Sequence, residues 1–205
     1  ISGEIAPLQE YLPVVKARQG RIYVDDAHAG GVLGAHGRGT AEFLGMDDES
    51  LRSCFTLSKA FGAGGGLIHG SRGWVEALEK DSRVIAGSTA IPLVVAAAAA
   101  EALHLALEEP QARQRLSKNA QFARAGLRQL GIKLVDSPTP ILCIPSQPGL
   151  NLPLLRDRLF EVDIAVEFVQ QYTSTPPGGA LRIAIFATHT EAQLQHLISE
   201  MNRLV

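Results

Sequence analysis

The sequence contains few of the residues that would indicate cross-linking, metal binding or membrane insertion. Only two of its 205 residues are cysteines, Cys54 and Cys143, which form no disulfide framework and lack metal-ligand spacing. The formal net charge of -2 gives no electrostatic basis for binding nucleic acid or an anionic membrane. The longest apolar run, residues 90–100, is 11 residues long and contains a proline, too short to cross a bilayer. We therefore expect a protein of the reduced cytoplasm with no metal, nucleic-acid or membrane partner.

What the sequence does contain is one dense cluster of small, polar and basic residues, in the segment 56–66. Lys59 follows two hydroxyl residues, Thr56 and Ser58, and precedes several glycines. Hydroxyls and glycine amides can hold a phosphate, and a lysine amine can form a Schiff base with a carbonyl. Pyridoxal phosphate requires both from its protein. Taken alone, the segment is more typical of an exposed lysine before a glycine turn.

A second segment, Asp25-Asp26-Ala27-His28, follows a short β-branched and aromatic strand, residues 22–24. Residues 51–56 form another predicted buried strand, which ends next to Lys59. Open α/β sheets bind ligands at the carboxyl ends of their strands, so both segments are expected on one side of a sheet. There, Asp25 would pair with a protonated pyridine nitrogen and His28 would reach a ring substituent. The alternative is a solvated turn with a surface histidine.

Two further candidate sites lie downstream. Ser88 and Thr89 precede an alanine-rich helix predicted from Pro92, so they are candidates for its N-cap or for an anion site at its N-terminus. Arg182 lies in an apolar strand, where an arginine either pairs outward at an edge or binds a carboxylate bidentately.

The sequence resembles the α-oxoamine synthases, a family of fold-type-I pyridoxal-phosphate enzymes that includes 8-amino-7-oxononanoate synthase and 2-amino-3-ketobutyrate coenzyme A ligase. The resemblance covers essentially the whole chain and corresponds to the second half of the family's length. Its matching blocks are Val24-Asp25-Asp26-Ala27-His28, Gly31-Val32-Leu33-Gly34, Gly37-Arg38-Gly39, Thr56-Leu57-Ser58-Lys59 and the segment 181–190. Ser2 and Gly30 depart from the family pattern, which usually has aspartate and threonine there.

The resemblance implies a role for each candidate residue. Lys59 would carry the cofactor, Asp25 would bind the pyridine nitrogen, and His28 would bind the ring hydroxyl. Thr56 and Ser58 would bind the phosphate. Ser88 and Thr89 would reach the phosphate of a partner subunit in a homodimer whose active site lies at the interface, and Arg182 would hold the substrate carboxylate.

The implied reaction is condensation of an amino acid with an acyl-CoA, usually with decarboxylation. The implied fold is α/β: residues 1–100 would form part of the pyridoxal-phosphate-binding large domain, and residues 101–205 a small α+β domain. Two alternatives remain open: another fold-type-I enzyme, such as an aminotransferase or lyase, and a non-catalytic fragment or subunit that keeps the fold. Lys59, Asp25 and His28 argue against the second, since a scaffold needs none of them.

Overall fold

The computed structural model describes residues 2–172, 175 and 177–205. The chain forms two compact units, one spanning Ala6–Pro110 and the other combining residues 2–5 with Gln111–Val205. The domain boundary expected after residue 100 falls inside a continuous helix, α5 (Leu93–Glu108). The first compact unit ends at Pro110, just beyond that helix, and the division into a large and a small domain stays a prediction.

The first unit contains a three-stranded sheet in the order β1-β2-β3. β1 runs parallel to β2, with Asp25 opposite Cys54, and β3 runs antiparallel to β2. The elements in chain order are α1 (Leu8–Lys16), β1 (Ile22–Asp25), α2 (Thr40–Phe43), β2 (Leu51–Thr56), β3 (Gly66–His69), α3 (Arg72–Asp81), α4 (Arg83–Ala86) and α5. The parallel pair gives the two strands a common carboxyl edge.

The second unit packs three helices and an antiparallel sheet in the order β4-β6-β5 around one core. Its elements are α6 (Pro110–Gln129), β4 (Ile141–Pro145), α7 (Leu152–Phe160), β5 (Glu167–Val169), β6 (Ala180–Ala184) and α8 (Glu191–Leu204). Leu127, Leu142, Leu159, Leu181 and Met201 are fully buried and form the centre of that core. Burial of such large apolar side chains is the main favourable contribution to the folding free energy of a unit of this kind.

The ends of the later helices follow local sequence signals. Thr190 accepts a hydrogen bond from the backbone N–H of Gln193, whose side chain reaches back to the Thr190 N–H, and this capping box begins α8. Pro110 occupies the first position of α6, where no backbone donor is needed. Gly131, just beyond α6, has φ of +79°, the left-handed conformation that commonly ends a helix.

Three expectations about local structure are wrong. The apolar pattern also predicts a strand at residues 132–135, which does not form: the Val135 N–H donates to the Cys143 carbonyl on β4, but the Val135 carbonyl accepts a hydrogen bond from Arg124, so strand pairing does not continue. The strand at residues 22–24 was expected to be buried but is not: burial alternates along β1, and Tyr23, on the more exposed face, is 65% exposed. Neither Ser88 nor Thr89 caps α5, whose N-cap residue is Pro92.

Candidate active site

The carboxyl edge of β1 and β2 brings the two principal segments of the sequence together. Asp25 is the last residue of β1, and Thr56 is the last residue of the adjacent parallel strand β2. The chain continues from Thr56 through a turn that carries Lys59. Because parallel strands end on the same side of a sheet, Asp25 and Lys59 share one edge, as the sequence predicted.

A direct contact joins the two segments. The Nζ atom of Lys59 lies 3.0 Å from Nε2 of His28, which follows β1 by three residues. Both side chains are exposed, so this edge of the sheet is open. At this distance an amine and an imidazole form a hydrogen bond and can exchange a proton.

Two hydroxyls stand beside Lys59. Oγ1 of Thr56 lies 2.7 Å from Oγ of Ser58, and the backbone N–H of Ser58 donates to Thr56 Oγ1 over 3.2 Å. The turn is anchored by Leu57, which is 4% exposed and whose N–H donates to the Gly65 carbonyl. This buried anchor between Thr56 and Ser58 holds both hydroxyls at the edge beside the lysine.

The carboxylate of Asp25 is held by its own turn. Its Oδ1 accepts a hydrogen bond of 3.1 Å from the backbone N–H of Ala27. This contact fixes the side chain at the strand end while leaving it exposed. The carboxylate can therefore accept a further hydrogen bond from a cationic ring nitrogen.

Ser88 and Thr89 lie between α4 and α5, and both are exposed. The hydroxyl of Ser88 donates to the carbonyl of Val84 over 2.5 Å. Within the described part of the chain, no hydrogen bond joins either residue to Lys59, Asp25 or His28. The structure therefore does not bring them to the β1–β2 edge of the same chain through direct contacts.

Arg182 lies on β6 in the second unit, directly opposite Glu167 on β5 and Cys143 on β4. Its side chain is 19% exposed, and Nη1 lies 3.9 Å from Oε2 of Glu167. Cys143 is completely buried, and burial raises the pKa of its thiol. Among the three residues that face one another across β4, β6 and β5, only Arg182 is positively charged.

A buried carboxylate that the sequence pattern does not single out, that of Asp26, organises the loop after β1. Asp26 is 2% exposed and accepts hydrogen bonds from the backbone N–H of Thr40, over 3.0 Å, and from its hydroxyl, over 2.5 Å. Gly39 is required beside it, because a Cβ there would lie 2.3 Å from Asp26 Oδ2. The only signal in the sequence is the doubled aspartate, and it does not indicate which of the two is buried.

The middle of the same loop is held by Glu42. Its carboxylate accepts hydrogen bonds from the backbone N–H groups of His36 and Arg38, the latter over 2.9 Å, and lies 2.6 Å from Nδ1 of His36. Burial alone raises the pKa of Glu42, but the hydrogen bonds from Arg38 and His36 outweigh it and lower the pKa below its ordinary value. Together Asp26 and Glu42 fix the loop that follows His28.

A cavity of about 370 Å³ lies at the opposite end of β2. Its lining includes Leu51, Arg52, Ser53 and His69, and none of the predicted site residues. In the described residues, no group of three or more histidine, cysteine or acidic side chains is placed to hold a metal ion. Within the same residues, no helix combines the length and apolarity that crossing a membrane requires.

Comparison with known proteins identifies relatives of the same group that the sequence resembles. The family model for aminotransferase class I and II matches residues 2–201. The 8-amino-7-oxononanoate synthase of Thioalkalivibrio sulfidiphilus (strain HL-EbGR7) is 35% identical over 204 residues, which are 99% of this chain and 52% of that protein. The chain thus spans about half the length of the curated relatives it matches.

Solved structures of related enzymes match the chain as well. A serine palmitoyltransferase with a pyridoxal-phosphate internal aldimine superimposes with a TM-score of 0.87 at 27% identity, covering 99% of this chain and 52% of that one. The 8-amino-7-oxononanoate synthase from Francisella tularensis gives a TM-score of 0.82 at 28% identity, covering 98% and 59%.

These relatives are α-oxoamine synthases, so the resemblance noted in the sequence is confirmed. The predicted fold is confirmed as well, since the chain matches the C-terminal half of fold-type-I pyridoxal-phosphate enzymes. With a family model matched along nearly its entire length, this chain belongs to the aminotransferase class I and II family.

Proposed function

We propose that this chain provides the cofactor lysine and the substrate arginine of a pyridoxal-phosphate-dependent enzyme that condenses an amino acid with an acyl-CoA. The observation that carries the proposal is the contact between Lys59 Nζ and His28 Nε2, 3.0 Å apart at the common edge of two parallel strands. The matched relatives, named 8-amino-7-oxononanoate synthase and serine palmitoyltransferase, support the choice of reaction. The cytoplasmic setting stays a prediction.

The residues at the β1–β2 edge fit pyridoxal phosphate group by group. The amine of Lys59 suits the aldehyde, and the paired hydroxyls of Thr56 and Ser58, 2.7 Å apart, suit the phosphate. The exposed carboxylate of Asp25 suits a protonated ring nitrogen, and the imidazole of His28 suits the ring hydroxyl. When bound, pyridoxal phosphate supplies an electron sink for the electrons of a cleaved Cα bond.

The protein's own contribution would be proton transfer and orientation. Lys59 would hold and move a proton at Nζ, and His28 Nε2 is close enough to exchange it. Arg182 would orient the amino acid by its carboxylate, because a planar guanidinium binds a carboxylate through two parallel hydrogen bonds. That orientation decides which Cα bond is activated.

We also propose a homodimer in which Ser88 and Thr89 bind the cofactor phosphate of the partner subunit. Two observations support this: both residues are exposed, and no described hydrogen bond ties them to Lys59 of their own chain. Mixing two inactive variants of the full-length protein, Lys59→Ala and the double variant Ser88→Ala/Thr89→Ala, tests it. Mixed dimers should regain activity, whereas sites confined to one chain would stay inactive in the mixture.

An aminotransferase is the second candidate, favoured by the name of the matched family. The two reactions differ in their products: condensation releases coenzyme A thiol, and transamination releases a keto acid. Mixing the full-length protein with pyridoxal phosphate, an acyl-CoA and glycine, alanine or serine therefore separates them. Thiol release supports the proposal, and keto-acid formation without thiol release would replace it.

The cofactor lysine is tested by Lys59→Ala in the same protein. The visible absorbance of the lysine-bound cofactor should disappear, while Lys80→Ala, which changes an exposed lysine of α3, should keep it. Absorbance that survives in Lys59→Ala would remove Lys59 from its assigned role. Absorbance lost in both variants would point to a general loss of structure.

A further inference from the structure

Arg182 and Glu167 form a directly opposed cross-strand pair in the second unit. They face each other in register on β6 and β5, so their side chains extend from the same face of the sheet. Nη1 of Arg182 and Oε2 of Glu167 are 3.9 Å apart. This distance permits electrostatic attraction but is too long for a hydrogen bond.

Within the described ranges, the guanidinium of Arg182 leaves its hydrogen-bond donors unused. An arginine offers five donors in a planar fork, and a largely buried one normally uses several of them. The side chain of Arg182 is only 19% exposed, yet among the described residues it makes no hydrogen bond. Its one ion pair in that part of the chain is the loose contact with Glu167. The donor fork is therefore available to a better-placed carboxylate.

The other strand neighbour of Arg182 cannot take over the charge. Cys143 is opposite Arg182 on β4 and completely buried, and burial raises the pKa of its thiol. A neutral thiol provides no counter-ion. Glu4 is close enough to act electrostatically on Cys143, but it forms no ion pair with Arg182 within the described residues.

The Glu167 side chain can move away from Arg182 easily. Its side chain is 66% exposed, whereas that of Arg182 is held in the sheet at 19% exposed. β5 is the edge strand of the order β4-β6-β5, so rotation of Glu167 into solvent disturbs no strand on its outer side. An exposed, poorly aligned ion pair contributes little to stability and is exchanged easily.

We propose that Glu167 is the resident counter-ion of Arg182 and competes with the substrate carboxylate for it, so that Glu167 sets the KM for the amino acid. The inference rests on the proposed function, in which Arg182 holds that carboxylate. Glu167 does not touch the reacting atoms; it acts through Arg182 alone. Substrate binding displaces Glu167 into solvent, and the pair re-forms once the substrate carboxylate has left Arg182.

The test compares variants of the full-length enzyme in the thiol-release assay. Glu167→Gln removes the competing charge at nearly constant size, so the KM for the amino acid should fall about two- to fivefold, the range expected for an exposed ion pair. The kcat and the KM for the acyl-CoA should stay within about twofold. A KM for the amino acid that is unchanged or raised would overturn the inference.

Two further variants complete the test. Glu4→Gln removes a negative charge that acts on Cys143 and that forms no ion pair among the described residues, and its KM should stay at the wild-type value. An equal fall in KM for both variants would indicate a general charge effect and overturn the pairing. Glu167→Ser provides a second way to remove the carboxylate should the glutamine variant be poorly folded, and it should lower the KM in the same direction.

Arg182→Lys separates this inference from the proposed function. If that variant raises the KM for the amino acid while Glu167→Gln leaves it unchanged, Arg182 keeps its role and only the competition by Glu167 is refuted. If neither variant changes the KM, Arg182 does not bind the carboxylate, and both proposals about this residue are overturned.

Discussion

Lys59 and His28, 31 residues apart in sequence, are joined by a 3.0 Å contact between Nζ and Nε2. Each residue comes from the turn that follows one strand of a parallel pair. Through this contact the imidazole can hold the lysine amine in place and share its proton.

Replacing His28 should therefore impair turnover more than folding. In the full-length enzyme, His28→Ala is expected to lower kcat by about tenfold or more, since a positioned proton-transfer partner contributes at least that much. Steady-state kinetics with saturating amino acid and acyl-CoA measures it. His104→Ala, at an exposed position of α5, is the matched control and should leave kcat unchanged. A wild-type kcat in His28→Ala would show that the contact has no role in turnover.

Thr40→Val should destabilise the chain through Asp26. The substitution keeps the side chain's shape but removes the hydroxyl that donates to a carboxylate only 2% exposed. Loss of a buried hydrogen bond to a charged group costs about 1–3 kcal/mol in the free energy of unfolding. Urea unfolding followed by circular dichroism measures the change, with Thr188→Val at an exposed position as the control. Equal stabilities for the two variants would contradict this account of the loop.

Arg124→Met should be strongly destabilising, although methionine fills a similar space. Arg124 is 7% exposed and donates to the carbonyls of Val135, Thr139 and Ile141. Leaving these buried acceptors unpaired is expected to cost about 3 kcal/mol or more of unfolding free energy.

The control for this prediction lies on the same helix. Arg128 pairs with the exposed Asp136 at the surface, so Arg128→Met should lower stability far less. A pair of variants with similar unfolding midpoints would mean that the three carbonyls are satisfied without Arg124.

Glu42 should make the free energy of unfolding depend on pH. Its hydrogen bonds with Arg38 and His36 lower its pKa below the ordinary 4.5, so folding favours the charged carboxylate. The stabilisation is fully present above the unfolded pKa and is lost as the pH falls through the lower, folded pKa. The free energy of unfolding should therefore decrease below about pH 4.5 in the wild type. Glu42→Gln should show a smaller decrease when both proteins are unfolded at a series of pH values; parallel curves would contradict the assignment.

Local sequence signals were sufficient to predict secondary-structure elements where the hydrophobic pattern or a capping residue marks them clearly. β2 occupies residues 51–56, as predicted, and the hydroxyl of Thr190 caps α8. The common edge of Asp25 and Lys59 also followed from strand ends alone, because parallel strands terminate on one side of a sheet.

Other features depend on contacts between residues far apart in sequence, which a local pattern does not encode. The segment 132–135, Ile-Lys-Leu-Val, has the composition of a strand, but its Val135 carbonyl accepts a hydrogen bond from Arg124 on helix α6. Asp26 and Asp25 are neighbours of the same residue type, and only the fold of the loop to Thr40 distinguishes the buried one from the exposed one. The loose pairing of Arg182 with Glu167 likewise depends on the register of two strands.

The edge position of β1 has a consequence for handling the isolated chain. Within the described residues, β1 and β3 each have a sheet neighbour on one side only, and Tyr23 and Ile68 on these strands are 65% and 53% exposed. Edge strands that carry apolar side chains can form backbone hydrogen bonds with strands of other polypeptides. Purified alone, the chain should self-associate as its concentration rises, through backbone hydrogen bonds that the sheet itself leaves unmade; light scattering that stays monomeric at high concentration would refute this.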